Sequence, residues 1–175
     1  MNLPENYLES ALFEFGRYKS LGDKTFAQLK DEDILWQYAD TDNSISQIVK
    51  HLSGNMLSRW TNFLAEDGEK AWRDRDKEFE NPFTTKTEML AAWEKGWQCL
   101  FNAIALVNEN NFDSIIKIRN EEHTILEAIN RQLAHYANHV GQIVLLGKMI
   151  KGENWVSLSI PKGKSQIFNK EMFKK

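Results

Sequence analysis

The 175 residues carry a net charge of −3, with 42% hydrophobic and 27% charged side chains. This is the make-up of one ordinary globular domain, residues 1–175, able to bury about 70% of its unfolded surface. The charge balance excludes the electrostatic footprint of a nucleic-acid binder, no apolar run approaches the ~18–20 residues of a membrane span, and the lone Cys99 excludes an intrachain disulfide.

The first helical pattern spans about residues 4–29, with Leu8, Leu12, Phe15 and Tyr18 on one face and a break expected at Gly22. Pro4 suits its first turn, where a missing N–H goes unused. Residues 30–43 form an acidic loop whose Ile34, Leu35 and Trp36 are expected to tuck beneath the helices. Ser44-Ile45-Ser46-Gln47 is a capping box, in which serine and glutamine satisfy orphan N–H groups reciprocally. It opens a second helix with Ile45, Ile48, Val49, Leu52, Met56, Phe63 and Leu64 as its stripe, ending before Gly68. Asp67 to Asn81 alternates in charge through Arg73, Asp74, Arg75 and Asp76, and reads as solvated loop, the alternative being a lid over a site.

A second capping box, Thr85-Lys86-Thr87-Glu88, opens a third helix through Leu90, Trp93, Trp97, Leu100, Phe101 and Ile104, with Cys99 a buried small hydrophobe. Residues 114–119 suit a short strand or an extended lead-in. The fourth helix runs from about Glu121 to Ile150, with Leu126, Ile129, Leu133, Tyr136, Val140 and Ile143 as its stripe and His123 in its first turn. Residues 151–175 read as an irregular tail, with Ile160-Pro161 extended. Its Gly163-Lys164-Ser165 fails as a phosphate loop, because Leu158 stands where glycine is required. Four such helices predict an all-α four-helix bundle, and connections of roughly 14 to 20 residues point to crossovers rather than a simple up-down-up-down order.

Three of the four histidines fall where a bundle can gather them: His51 on the second helix, His135 and His139 on the fourth. An i, i+4 pair lies ~40° apart in azimuth and ~6 Å apart along the axis, so both imidazoles reach one cation from one side. Three neutral imidazoles suit Zn²⁺, Ni²⁺, Fe²⁺ or Co²⁺ and leave a position for water or substrate. The bland alternative is three hydrogen-bonded histidines at helix shoulders. Gln132, Gln142 and Asn55 are candidates to hold the imidazole N–H groups, Arg131 is a candidate fork for a substrate carboxylate, and Tyr136 is core with its hydroxyl toward a polar edge. No carboxylate stands beside His135 in the sequence to act as general acid or base.

The segments Ser44–Met56 and Ala128–Ile143, together with Asp67–Asp76 and Leu158–Ser165, resemble the DinB/YfiT-like superfamily, and within it a bacterial branch of unknown function. The resemblance spans nearly the whole chain. It implies a four-helix bundle of up-down-down-up topology, often a homodimer, with a metal on His51, His135 and His139. Zinc or nickel is the usual expectation, iron or cobalt the alternative. Several relatives are S-transferases or isomerases that use a low-molecular-weight thiol. The expected function is thus a metal-dependent enzyme, a thiol transferase or a hydrolase, acting on a small molecule. The alternative is a non-catalytic metal- or ligand-binding bundle in stress response or protein interaction. With no basic and apolar leader at Met1–Asn6, the expected location is cytoplasmic.

Overall fold

The structure is a computed structural model that describes residues 2–80 and 82–174; Met1, Asn81 and Lys175, the ends of the leader, charged stretch and tail considered above, lie outside the described residues. The chain is mostly helical, with one small antiparallel sheet among the described residues. The long helices are α1 (Leu3–Phe26), α2 (Ile45–Trp60), α3 (Lys86–Ile104) and α4 (Ile125–Lys151). Each starts at a side chain that takes an orphan N–H. Asn2, Ser44 and Thr124 form full capping boxes with Glu5, Gln47 and Glu127. At Thr85 the hydroxyl accepts from the Glu88 N–H at 3.2 Å and donates to the Glu88 carboxylate at 3.0 Å.

The four helices pack in the cyclic order α1–α4–α2–α3, with α2 on α3 and α1 on α4 as the broadest contacts. Their stripes meet in an aromatic core. Phe26 meets Trp93 edge-on at 5.2 Å and Trp93 meets Trp97 at 5.3 Å, geometries worth about 0.5–1.5 kcal/mol each beyond the area they bury. Gly22 does not break α1. It is buried where a Cβ would collide with the Trp93 ring, so it marks the closest approach of α3. Cys99 is half-buried, with Met56 and Thr61 against its sulfur.

Several boundaries differ from expectation. α2 ends at Trp60, because Thr61 is extended and Asn62 adopts φ 49°. The chain then folds back on its own helix: Ser58 Oγ donates to the Gly68 carbonyl at 2.9 Å and accepts from the Lys70 N–H at 3.1 Å. Phe63 is buried from the loop and Leu64 is exposed. The charged stretch is not simply solvated, since Lys70, Glu78 and the Arg73 side chain are buried. In the 30–43 loop, Ile34 is buried and Trp36 half-buried, but Leu35 is exposed.

α4 starts at Ile125, not Glu121. Residues Glu121–Thr124 form β2, paired in antiparallel register with β1 (Ile115–Ile118) so that Ile116 faces His123. His123 is therefore a strand residue, and the box that starts α4 is Thr124 with Glu127. Arg119 and Asn120 turn the hairpin with φ of 56° and 62°, as a two-residue turn with both central residues left-handed requires. The Asp67 carboxylate holds this turn, accepting from the backbone N–H of both Arg119 and Asn120 at 2.8 and 2.7 Å. The tail is not wholly irregular either: Ser165–Met172 forms α5, exposed throughout, with Ile167 and Phe168 open to solvent. Among the described residues no helix is long and apolar enough to cross a membrane.

Candidate metal centre

The heptad-like stripe of α4 buries Ile129, Tyr136 and Val140, and this leaves His135 and His139 on the shoulder of the helix, half-buried. On α2 the buried Ile48 and Leu52 set His51 facing that shoulder, 4% exposed. The structure brings the three together: each imidazole offers one nitrogen, all within 4.8 Å of one another. His51 Nε2 and His135 Nε2 are 3.3 Å apart. Two nitrogens at ~2.0–2.1 Å from one tetrahedral ion would stand ~3.3–3.4 Å apart. The donor set and this spacing therefore fit a divalent ion.

The far nitrogens are held as well. His51 Nδ1 donates to the Glu78 carboxylate at 2.8 Å, which turns Nε2 toward the other histidines as the nitrogen that can take an ion. Glu78 sits in the 3-10 turn Asp76–Glu78, 6% exposed. Arg73 grips the same carboxylate through Nε at 2.8 Å and Nη2 at 3.0 Å. Phe79 stacks on the His51 ring with centroids 4.8 Å apart. Glu78 reaches α2 only because residue 54 is glycine, where a Cβ would collide with the carboxylate. On α4, His139 Nδ1 donates to Gln142 Oε1 at 2.9 Å.

Electrostatics keeps the α4 pair neutral. Burial first, then the neighbouring His139 and His51 and the charges of Arg73 and Arg59, push His135 down to about 3. Burial also lowers His139, with His51 and Arg75 adding to it against the Gln142 hydrogen bond. Burial alone would raise the Glu78 carboxyl, but hydrogen bonds from His51 and Arg73 outweigh it and hold Glu78 below the usual carboxylate range. Uncharged imidazoles beside a charged carboxylate are the form that binds a metal ion.

A family model described as a protein of unknown function, DUF1572, matches residues 2–164. The chain belongs to the DUF1572 family. The DUF1572 match takes in His51, Glu78, His135 and His139, and stops just before α5. No curated protein and no solved structure matches the chain.

Above the histidines lies a cavity of about 320 Å³. Asn55, Arg131, Gln132 and Gln142 all line it, but in different ways. The Asn55 side-chain oxygen accepts from the buried Tyr136 hydroxyl at 3.0 Å, which in turn accepts from Trp60 Nε1, so Asn55 braces the core rather than a histidine. Gln132 is 2% exposed and its Oε1 has no hydrogen-bond partner. Arg131 is exposed at the mouth. Sequence reasoning missed Glu78 and Phe79 on the His51 side, and Arg59 and Arg119 in the cavity wall; Arg73 and Arg75, offered only as part of a lid in the alternative to a solvated loop, line the cavity too. Gly54, one turn after His51, was the one signal that something approaches α2 closely there.

Proposed function

We propose that this DUF1572 protein is a DinB-like, divalent-metal-dependent enzyme acting on a small molecule, with His51, His135 and His139 as the metal ligands. The observation that carries this reading is the convergence of three imidazoles from two helices, with the second nitrogen of His51 held by a buried carboxylate. Zinc or nickel is the ion of choice for such a set, iron or cobalt next. The up-down-down-up bundle, a homodimer, a bacterial source and a cytoplasmic location belong to the same reading.

A bound ion would supply Lewis acidity, lowering the pKa of a thiol or water and so making a nucleophile near neutral pH. The chain's own residues do the rest. Glu78 keeps His51 in the tautomer that offers Nε2, and Arg73 keeps Glu78 ionised and in place. Phe79 covers the His51 ring and excludes water from one side. The reaction type we favour is transfer to or from a low-molecular-weight thiol. The exposed Ile167 and Phe168 of α5 favour the second reading, a metal-binding bundle that acts through a protein partner.

Elemental analysis of untagged protein, purified without chelators, tests the proposal beside His51→Ala and His135→Ala. Near-stoichiometric metal in the parent, lost in both variants, is the expected result. A parent that takes up no metal even when reloaded at about pH 7.5–8 overturns it. In cobalt-substituted protein, a visible spectrum unmoved by millimolar thiol would remove the transferase.

A further inference from the structure

The cavity wall is lopsided in charge. Arg59, Arg73, Arg75, Arg119 and Arg131 line it, and no aspartate or glutamate among the described residues does. Among the described residues two carboxylates pair with these five guanidiniums. Glu78 is committed to Arg73. Glu69 is shared, at 3.4 Å from Arg73, 3.3 Å from Arg119 and 3.9 Å from Arg59. Arg75 rests over the Phe79 ring, and Arg131 makes no ion pair among the described residues.

Arg59 is the anomaly. It is 4% exposed, and its Nε and Nη1 are buried without a hydrogen-bond partner. Its charge is met among the described residues by Glu69 alone, at 3.9 Å and shared with two other arginines, and a buried charge so thinly balanced is costly to hold. Gln132, beside it in the lining, is equally short of a partner at Oε1. A neutral ligand would leave Arg59 as it is, and a cation would worsen it.

We propose that this cavity binds the oxyanion group of a small-molecule substrate, a carboxylate or a phosphate, between buried Arg59 and surface Arg131. The guanidinium fork matches the paired oxygens of either group. Gln132, whose amide presents either an oxygen or an NH₂, takes a neighbouring polar group of the same molecule. Arg119 is carried to the mouth by the left-handed turn that Asp67 holds. The volume lies at the lower end of small-molecule sites, so the ligand is compact. The anchored anion would lie beside the histidines, which share the same wall. The inference names the substrate class of the site proposed above, and rests on that reading only in taking the cavity as a small-molecule site.

Calorimetric titration with inorganic phosphate, succinate and uncharged succinamide tests it, on both metal-loaded and chelator-stripped protein. Arg131→Ala is exposed and tolerable to the fold; Arg59→Lys keeps the charge but loses the fork. Phosphate or succinate should bind both forms, succinamide neither, and each variant should weaken the anion about tenfold or more. Which of the two anions binds more tightly identifies the group. No anion binding at millimolar concentration, or binding that both variants leave unchanged, overturns the proposal. An anion that binds only the metal-loaded protein and ignores Arg131 sits on the ion; the arginine site then falls while the metal reading stands. Anion binding by stripped protein that Arg131→Ala weakens sustains the site even in a protein that retains no metal.

Discussion

His135 and His139 come from one helix, four residues apart and half-buried, whereas His51 is 4% exposed and clamped by a segment from elsewhere in the chain. The α4 pair needs little help, because the helix backbone fixes the spacing of both rings. A single histidine on α2 has no such partner, and its ring could turn about two torsions. Glu78, Arg73 and Phe79 supply the missing constraint: a hydrogen bond, a charge that keeps the acceptor ionised, and a ring against the face. The comparison separates a half of the site built by secondary structure from a half built by a loop.

The sharpest way to break that distinction is to remove the loop's anchor. Glu78→Ala leaves the Arg73 guanidinium, with 2% of its side chain exposed, with the 3.4 Å contact to Glu69 as its remaining ion pair among the described residues. Truncating one partner of a buried pair typically costs about 3–5 kcal/mol. His135→Ala, which empties a half-exposed position, should cost less than about 1 kcal/mol. Urea unfolding of the two metal-free variants beside the parent measures both. Equal losses would mean that the loop does not brace the fold as the buried pair implies.

A gentler substitution moves the comparison to metal affinity. Glu78→Gln keeps the shape but loses the charge that holds His51, and should weaken metal binding about 10–100-fold, the usual range for such outer partners. Gln142→Ala removes only a neutral acceptor from His139 and should fall at or below the bottom of that range. Competition against a chromophoric chelator reads both constants. A larger loss from Gln142→Ala than from Glu78→Gln would reverse the assignment of the two halves.

The same division explains what could be read from the sequence. Helix periodicity found the four stripes, and the i, i+4 spacing placed His135 and His139 on one shoulder, because both are properties of a single regular element. The acidic Glu121 and Glu122 drew the start of α4 four residues too early and turned His123 from a strand residue into a helical one. Glu78 was not legible. Its pairing with His51 spans 27 positions and depends on a fold-back that begins at the left-handed Asn62. Nothing in an alternating charged run distinguishes the acid and the arginine that go inside from those that stay in water. The buried Arg59 was hidden for the same reason: on a helix whose visible pattern is apolar, one cation looks like the solvent face.

The smallest expected effect is a pH slope. His135 has a folded value of about 3 against an ordinary 6.5. At pH 5 the unfolded chain therefore binds a proton that the native state refuses, and the difference favours unfolding. The contribution is fully present above about 6.5 and is lost as pH falls toward 3. His139, also lowered, adds in the same sense. Glu78, held below its ordinary 4.5, contributes stability above that value that is lost only at more acid pH, so the interval from about 6.5 down to 4.5 belongs to the histidines. Metal-free protein should lose stability across that interval, and His135→Gln should flatten the loss, modestly because solvent screens a half-exposed ring. Loading with metal should steepen the slope, since every proton taken by an imidazole then also displaces the ion. Chelator-treated protein with the same slope in parent and variant would show that His135 is better solvated than its neighbours imply, and would remove the electrostatic contrast between the two halves.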